Sequence, residues 1–235
     1  MSPPILIVAH PGHELRLFGW INVARPLVCI LTDGSGGRGA SRTRYSKDVL
    51  TASGCSAGPV MGELSDRAWY DAILTRNIDP FVRAADAISA VASANALVVS
   101  DPVEGYNPMH DLCAALADRV ADDIGGTRMA YQLMYPRGDG DVLGLSAETE
   151  VKKRAAIRAY KPIAKEAAQL LREDARAMIE ERLVADCFTW PEELDAKPKY
   201  EQFGDSRIEA GVYAQTIRYA QHVRPIALHL RTKGR

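Results

Sequence analysis

Ile5-Leu6-Ile7-Val8-Ala9-His10-Pro11-Gly12-His13-Glu14 is the stretch from which the fold of this chain can be read. Residues 5–9 form an unbroken aliphatic run rich in β-branched side chains, which predicts a strand buried on both faces. Pro11 and Gly12 stop it at once. Leu15 and Phe18 then recur at helical spacing. Two imidazoles and a carboxylate therefore stand at the carboxyl end of a buried strand, where open α/β sheets place their ligands.

Working outward, residues 27–31 are a second apolar run. Strand, helix and strand within about 30 residues make a βαβ unit. Residues 60–64 predict a short strand, 96–100 a third clear buried strand and 129–135 a fourth. Helices are expected over 41–53, 79–94 and 112–124, the last starting near Pro108 or Met109. Helical pattern then dominates: 148–185, kinked or split at Pro162, and 207–230, broken near Pro225, with an irregular stretch over 190–203 between them. The expected fold is α/β: a Rossmann-like, mostly parallel sheet flanked by helices, in one domain. Residues 1–145 would form its core, and 146–235 a helical extension packed on it.

Bulk properties narrow the function classes. The chain has 235 residues, 47% hydrophobic and 25% charged, an ordinary globular composition. A net charge of -1 gives no electrostatic case for nucleic acid or an anionic membrane. No apolar run approaches the ~20 residues of a membrane span, and the first residues lack the pattern of a signal peptide. The expectation is a cytoplasmic protein, a homo-oligomer being open. The four cysteines are scattered without a CxxC pair, so reduced thiols are expected. The Gly-rich segment 32–39 has neither the spacing nor the Lys of a phosphate loop and reads as a connection near the site.

There are five histidines: His10, His13, His110, His222 and His229. His10 and His13 follow the first strand. His110 ends the loop after the third clear strand. In a parallel sheet these loops converge on one edge. Three neutral imidazoles with one open position make a catalytic zinc site, and another divalent ion such as Fe2+ also fits this donor type.

The motifs resemble those of the PIG-L/LmbE-like de-N-acetylases, zinc enzymes on a Rossmann-like fold. That family's signature is a strand ending in Ala-His-Pro-Asp-Asp-Glu, and here it reads Ala9-His10-Pro11-Gly12-His13-Glu14. Its Thr-Asp-Gly is matched by Thr32-Asp33-Gly34, and its Arg ahead of a helix-ending Gly by Arg42 and Gly54. Its Asp-Pro loop with Gly-Tyr and His-Pro-Asp-His is matched by Asp101-Pro102, Gly105-Tyr106 and Asn107-Pro108-Met109-His110. The likeness covers about the first 160 residues.

The resemblance implies metal ligands at His10, His13 and His110, the family's Asp ligand having become His13. It implies a general base at Gly12, which has no side chain, and an oxyanion-stabilising group at Asn107, which donates a hydrogen bond but cannot transfer a proton. Departures thus fall on the groups that move protons. Glu14, Asp111, Glu104, Asp33 and Asp101 are the candidate replacements, Glu14 and Asp111 first. Arg42 stands at a substrate-facing family position, and Asp33, Glu104 and Tyr106 complete the expected substrate contacts. The implied activity is metal-dependent hydrolysis of an amide on an N-acylated, sugar-like or other small substrate. The alternatives are a non-hydrolytic ligand-binding protein and a metal enzyme of another reaction type.

Overall fold

The computed structural model describes residues 2–36, 39–132, 140–163, 175–186 and 188–232. Its strands are β1 (Ile5–Val8), β2 (Leu27–Thr32), β3 (Ser56–Leu64), β4 (Leu97–Ser100), β5 (Thr127–Tyr131), β6 (Gly140–Gly144) and β7 (Glu180–Val184). Its α-helices are α1 (Phe18–Ala24), α2 (Thr43–Ser53), α3 (Asp66–Thr75), α4 (Asp79–Val91), α5 (Pro108–Ile124), α6 (Ala147–Ala159), α7 (Lys199–Glu209) and α8 (Arg224–Thr232).

The strands form one mixed, mostly parallel sheet in the order β3-β2-β1-β4-β5-β7-β6. β1 to β5 run parallel, and β7 lies antiparallel between β5 and β6. Ile5 pairs with Leu27 on one side and with Val98 on the other. The chain lays down β1, β2 and β3 outward, then returns to the far side of β1 as β4. That reversal leaves a crevice at the carboxyl ends of β1 and β4, the usual ligand position of a doubly wound sheet.

Strand periodicity sorts β1 into two cores. Ile5, Ile7 and Ala9 pack with Trp69 of α3, Phe81 and Ile88 of α4, Leu112 and Leu116 of α5, and Ile226 and Leu230 of α8. Leu6 and Val8 face the other way, toward Ile21 of α1, Leu50 of α2 and Ile157 of α6. Helices on both faces explain why β1 reads as continuously apolar.

Several expectations are corrected. Residues 180–184 were expected to be helical but form β7. Their charges suggested a solvated helix, yet Glu181 is buried and accepts hydrogen bonds from Gly19 N–H (2.8 Å), Trp20 N–H (2.7 Å) and Lys153 Nζ (2.8 Å). Leu183 on the same strand joins the core, so the burial alternates as in a strand. The strand expected over 129–135 runs instead from Thr127 to Tyr131, and residues 133–135 lie outside the described ones. α3 was missed. Ser65 caps it by accepting from Ala68 N–H (3.2 Å), and it buries Trp69 and Ile73. β6 was missed as well, and β3 begins earlier than expected. The helical stretch expected over 207–230, with its break near Pro225, breaks earlier: α7 stops at Glu209, and the helix resumes at 219–223 as one wide π-helical turn leading into α8. Pro225 follows directly on that wide turn, so its missing N–H falls inside a continuous helical run, where the π-helical turn loosens the backbone ladder. Among the described residues, no helix is long and apolar enough to cross a membrane.

Candidate metal centre

The carboxyl ends of β1, β2 and β4 are laced together by backbone donors. Ala9 N–H donates to Asp101 Oδ2 (2.5 Å), and Thr32 N–H donates to Ala9 O (2.9 Å). The chain then turns sharply at Gly12, where φ is 107°. It continues as a 3-10 helix over His13–Leu17. Across the crevice, Asn107 caps α5 through Met109 N–H (2.8 Å), which places His110 in the first turn of that helix.

These constraints bring the three expected imidazoles together. Ring centroids lie 5.4 Å apart for His10 and His13, 5.1 Å for His10 and His110, and 4.7 Å for His13 and His110. Each ring is held from behind by a carboxylate at Nδ1. His10 Nδ1 meets Asp66 Oδ1 (3.1 Å) as well as Thr32 Oγ1 (2.8 Å). His13 Nδ1 meets Asp101 Oδ1 (2.7 Å), and His110 Nδ1 meets Glu104 Oε1 (2.5 Å). A carboxylate at Nδ1 favours the tautomer with its proton there and leaves Nε2 with a free lone pair.

Electrostatics support the neutral state of two rings. Burial lowers the His13 pKa against the opposing pull of Asp101. Burial, with the His13 charge adding to it, takes His110 well below the ordinary value. The carboxylates divide. Burial alone would raise Asp101, but His13, His110 and the Tyr131 hydroxyl hold it below the usual carboxylate range. Asp66 is likewise brought down to about 2, its burial outweighed by His10, Thr32 and Gly36 N–H. Glu104 is pushed up to about 8 by burial and by the charges of Asp101 and Asp111.

The donor set fits a divalent metal. Rings bound through Nε2 to one tetrahedral ion at ~2 Å would have centroids about 5 Å apart, the spacing found here. The carboxylate behind each ring is the support that metal-ligating histidines ordinarily have. The rings are gathered but not closed: among the described residues, no three or more His, Cys, Asp or Glu side chains form a ready metal cage. Asn107 Nδ2 lies 3.3 Å from His10 Nε2 and occupies the contact that a metal would take.

The remaining predicted residues have distinct places. Asn107 faces the imidazoles. Tyr70 donates to Asn107 Oδ1 (3.0 Å), and Met109 N–H donates to the same oxygen, so Nδ2 is turned inward. Glu104 backs His110, and Tyr106 is exposed beside it with Lys199 Nζ 5.6 Å from its ring centre. Glu14 is fully buried beneath the turn. Its Oε2 accepts from Gly12 N–H (2.8 Å), and burial raises its pKa. Its other oxygen and Arg42 Nε are buried without a hydrogen-bond partner among the described residues. Asp111 accepts from Glu104 N–H (2.9 Å) and Gly105 N–H (3.1 Å) and so shapes the 101–107 loop. Burial pushes its carboxyl up to about 7. Asp33 Oδ1 accepts from Ser35 N–H (2.9 Å) and Asp66 N–H (3.1 Å), holding the segment that carries Asp66. His222 Nδ1 accepts from Arg218 N–H (2.8 Å) at the π-helical turn.

Gly12 is more than a missing side chain. A Cβ there would lie 2.7 Å from Ile163 Cδ1, and the positive φ strains any other residue. Sequence reasoning missed Asp66, Tyr70 and Tyr131. Ser65-Asp66 is a helix-start signal that could have placed Asp66. Nothing local marks either tyrosine.

No family model matches the chain, nor does any curated protein or solved structure.

Proposed function

We propose that this protein is a metal-dependent amide hydrolase with a three-histidine centre, acting on a small N-acylated substrate. The observation that carries this reading is the cluster of three imidazoles, with ring centroids 4.7 to 5.4 Å apart, each held at Nδ1 by a carboxylate. The resemblance to the PIG-L/LmbE-like deacetylases, and with it an LmbE-like fold, belongs to the same proposal. It is supported by the sheet order and by histidines at the β1 and β4 carboxyl ends. When bound, Zn2+ or Fe2+ would polarise the amide carbonyl and make a water at the open position more acidic.

The chain's own groups would do the rest. His10, His13 and His110 hold the ion, each fixed in tautomer by its carboxylate. With His10 Nε2 so engaged, Asn107 Nδ2 is released to donate to the carbonyl oxygen as charge develops there. Glu104 fixes His110 through Nδ1 and, with its side chain 22% exposed against 8% for Asp66 and 0% for Asp101, is the most accessible of the three supporting carboxylates. Glu14 and Asp111, each with one oxygen on backbone N–H groups, shape the two loops.

One observation favours a second reading, ligand binding without hydrolysis: the position of the family's base is a glycine at positive φ, with the end of the Ile163 side chain 2.7 Å from where a Cβ would lie. Zinc-loaded protein incubated with a panel of N-acyl sugars and N-acyl amino acids separates the two. Release of free amine that is lost in Asn107→Ala and Glu104→Gln supports hydrolysis. Metal binding with no release from any member supports the second reading.

A further inference from the structure

Most cations of the interior have a carboxylate partner; among the described residues Arg16 and Arg42 do not. Arg119, Arg128, Lys153 and Arg218 each meet a carboxylate. The Arg16 guanidinium, half-buried, has no hydrogen-bond or ion-pair partner among the described residues. Its backbone is fixed, because Lys153 Nζ donates to Arg16 O (3.1 Å). It lies three residues after His13 within the 3-10 helix His13–Leu17. Side chains at i and i+3 eclipse in such a helix, so Arg16 shares the face of the His13 imidazole.

Its surroundings agree with that placement. The Arg16 charge acts on His13, His110, Glu104 and Tyr131, in each case behind the larger effect of burial. Neither nearby carboxylate is free to pair with it. Asp101 is committed to Ala9 N–H, His13 and Tyr131, and Glu104 to His110. A second cation, Lys199, stands on the same rim over Tyr106.

We propose that Arg16 is an anion subsite beside the three imidazoles, and that the ligand of this centre carries an oxyanion group, carboxylate or phosphate, received by its guanidinium. The planar fork of arginine matches either group with two parallel hydrogen bonds. This rests on the reading of the imidazoles as the reactive centre, and it narrows the substrate from any N-acyl compound to an acidic one. A neutral N-acyl sugar would leave Arg16 unpaired on binding.

Calorimetric titration tests the subsite, with succinate, inorganic phosphate and neutral succinamide as probes. It is run on zinc-loaded and on zinc-free protein, with wild type, Arg16→Gln and Arg16→Lys. Wild type should bind at least one anion and prefer succinate to succinamide. Arg16→Gln should weaken the anion by roughly ten- to a hundredfold, the range of charged hydrogen bonds, with zinc content and succinamide binding unchanged. Arg16→Lys should recover part of the loss. The tighter anion identifies the group as carboxylate or phosphate. Anion binding equal in wild type and Arg16→Gln, or no anion binding by wild type, overturns the proposal. Failure of wild type to take up zinc counts against the metal reading alone, because titration of the zinc-free protein still reads Arg16.

Discussion

Asp101 is the residue on which most of the centre's geometry converges. It accepts from Ala9 N–H, from His13 and from the Tyr131 hydroxyl. Asp101→Asn keeps the shape but sets an NH2 group against a ring of donors. We expect it to weaken zinc binding by about 10- to 100-fold, measured by competition with a chromophoric chelator. Affinity equal to wild type would show that the His13 ring does not need this support. Asp111 allows a pH prediction. Its carboxyl is raised from 3.8 to about 7 in the folded protein. Between those values the folded state holds a proton that the unfolded chain has lost. Its contribution is therefore full below the lower value and is lost as pH rises through the upper one. In urea denaturation of metal-free protein, wild type should lose more stability between pH 5 and pH 8 than Asp111→Asn. Equal losses would contradict this. At this scale the three imidazoles were legible as neighbours, while two of the groups that hold them were not. His10, His13 and His110 lie next to strands that are obvious from their hydrophobicity. Asp66 comes from a helix 56 positions beyond His10, and Tyr131 from a strand 118 beyond His13, so tertiary packing brings them to the rings.

Among the elements, the β1 turn depends on one glycine. Gly12→Ala adds a Cβ at a positive φ with Ile163 too close, and should cost about 1–3 kcal/mol of unfolding free energy. Denaturant titration reads it, and a loss under 0.5 kcal/mol would mean the turn relaxes freely. A second dependence ties three elements together. Lys153 of α6 and Glu181 of β7 form a buried pair, and the same carboxylate caps the first turn of α1. Lys153→Ala leaves that charge without its cation and should destabilise the fold by roughly 3 kcal/mol. A near-neutral effect would show that the two backbone donors suffice. β7 also marks where pattern reading failed. Glu180-Glu181-Arg182 looks like a solvated helix face, because burial of Glu181 depends on partners far away in the chain. The parallel strands β1, β2 and β4 were legible because burial on both faces leaves an apolar run that no surface helix shows.

At the scale of the whole molecule, the sheet order converts two separate histidine motifs into one site. The return from β3 to β4 brings the β4 loop beside the β1 turn. The α/β class and mostly parallel sheet followed from the alternation of strands and helices in the sequence. The antiparallel edge formed by β7 and β6 did not, since its strands are short, charged and separated by a long stretch of chain. The central claim is that the three imidazoles form one metal site, and metal stoichiometry tests it most directly. Protein dialysed against zinc and then against buffer should retain about one equivalent per chain, and His10→Ala, His13→Ala and His110→Ala should each lose it while remaining folded by circular dichroism. Wild type without stoichiometric metal, or three variants that retain it as wild type does, would contradict the account.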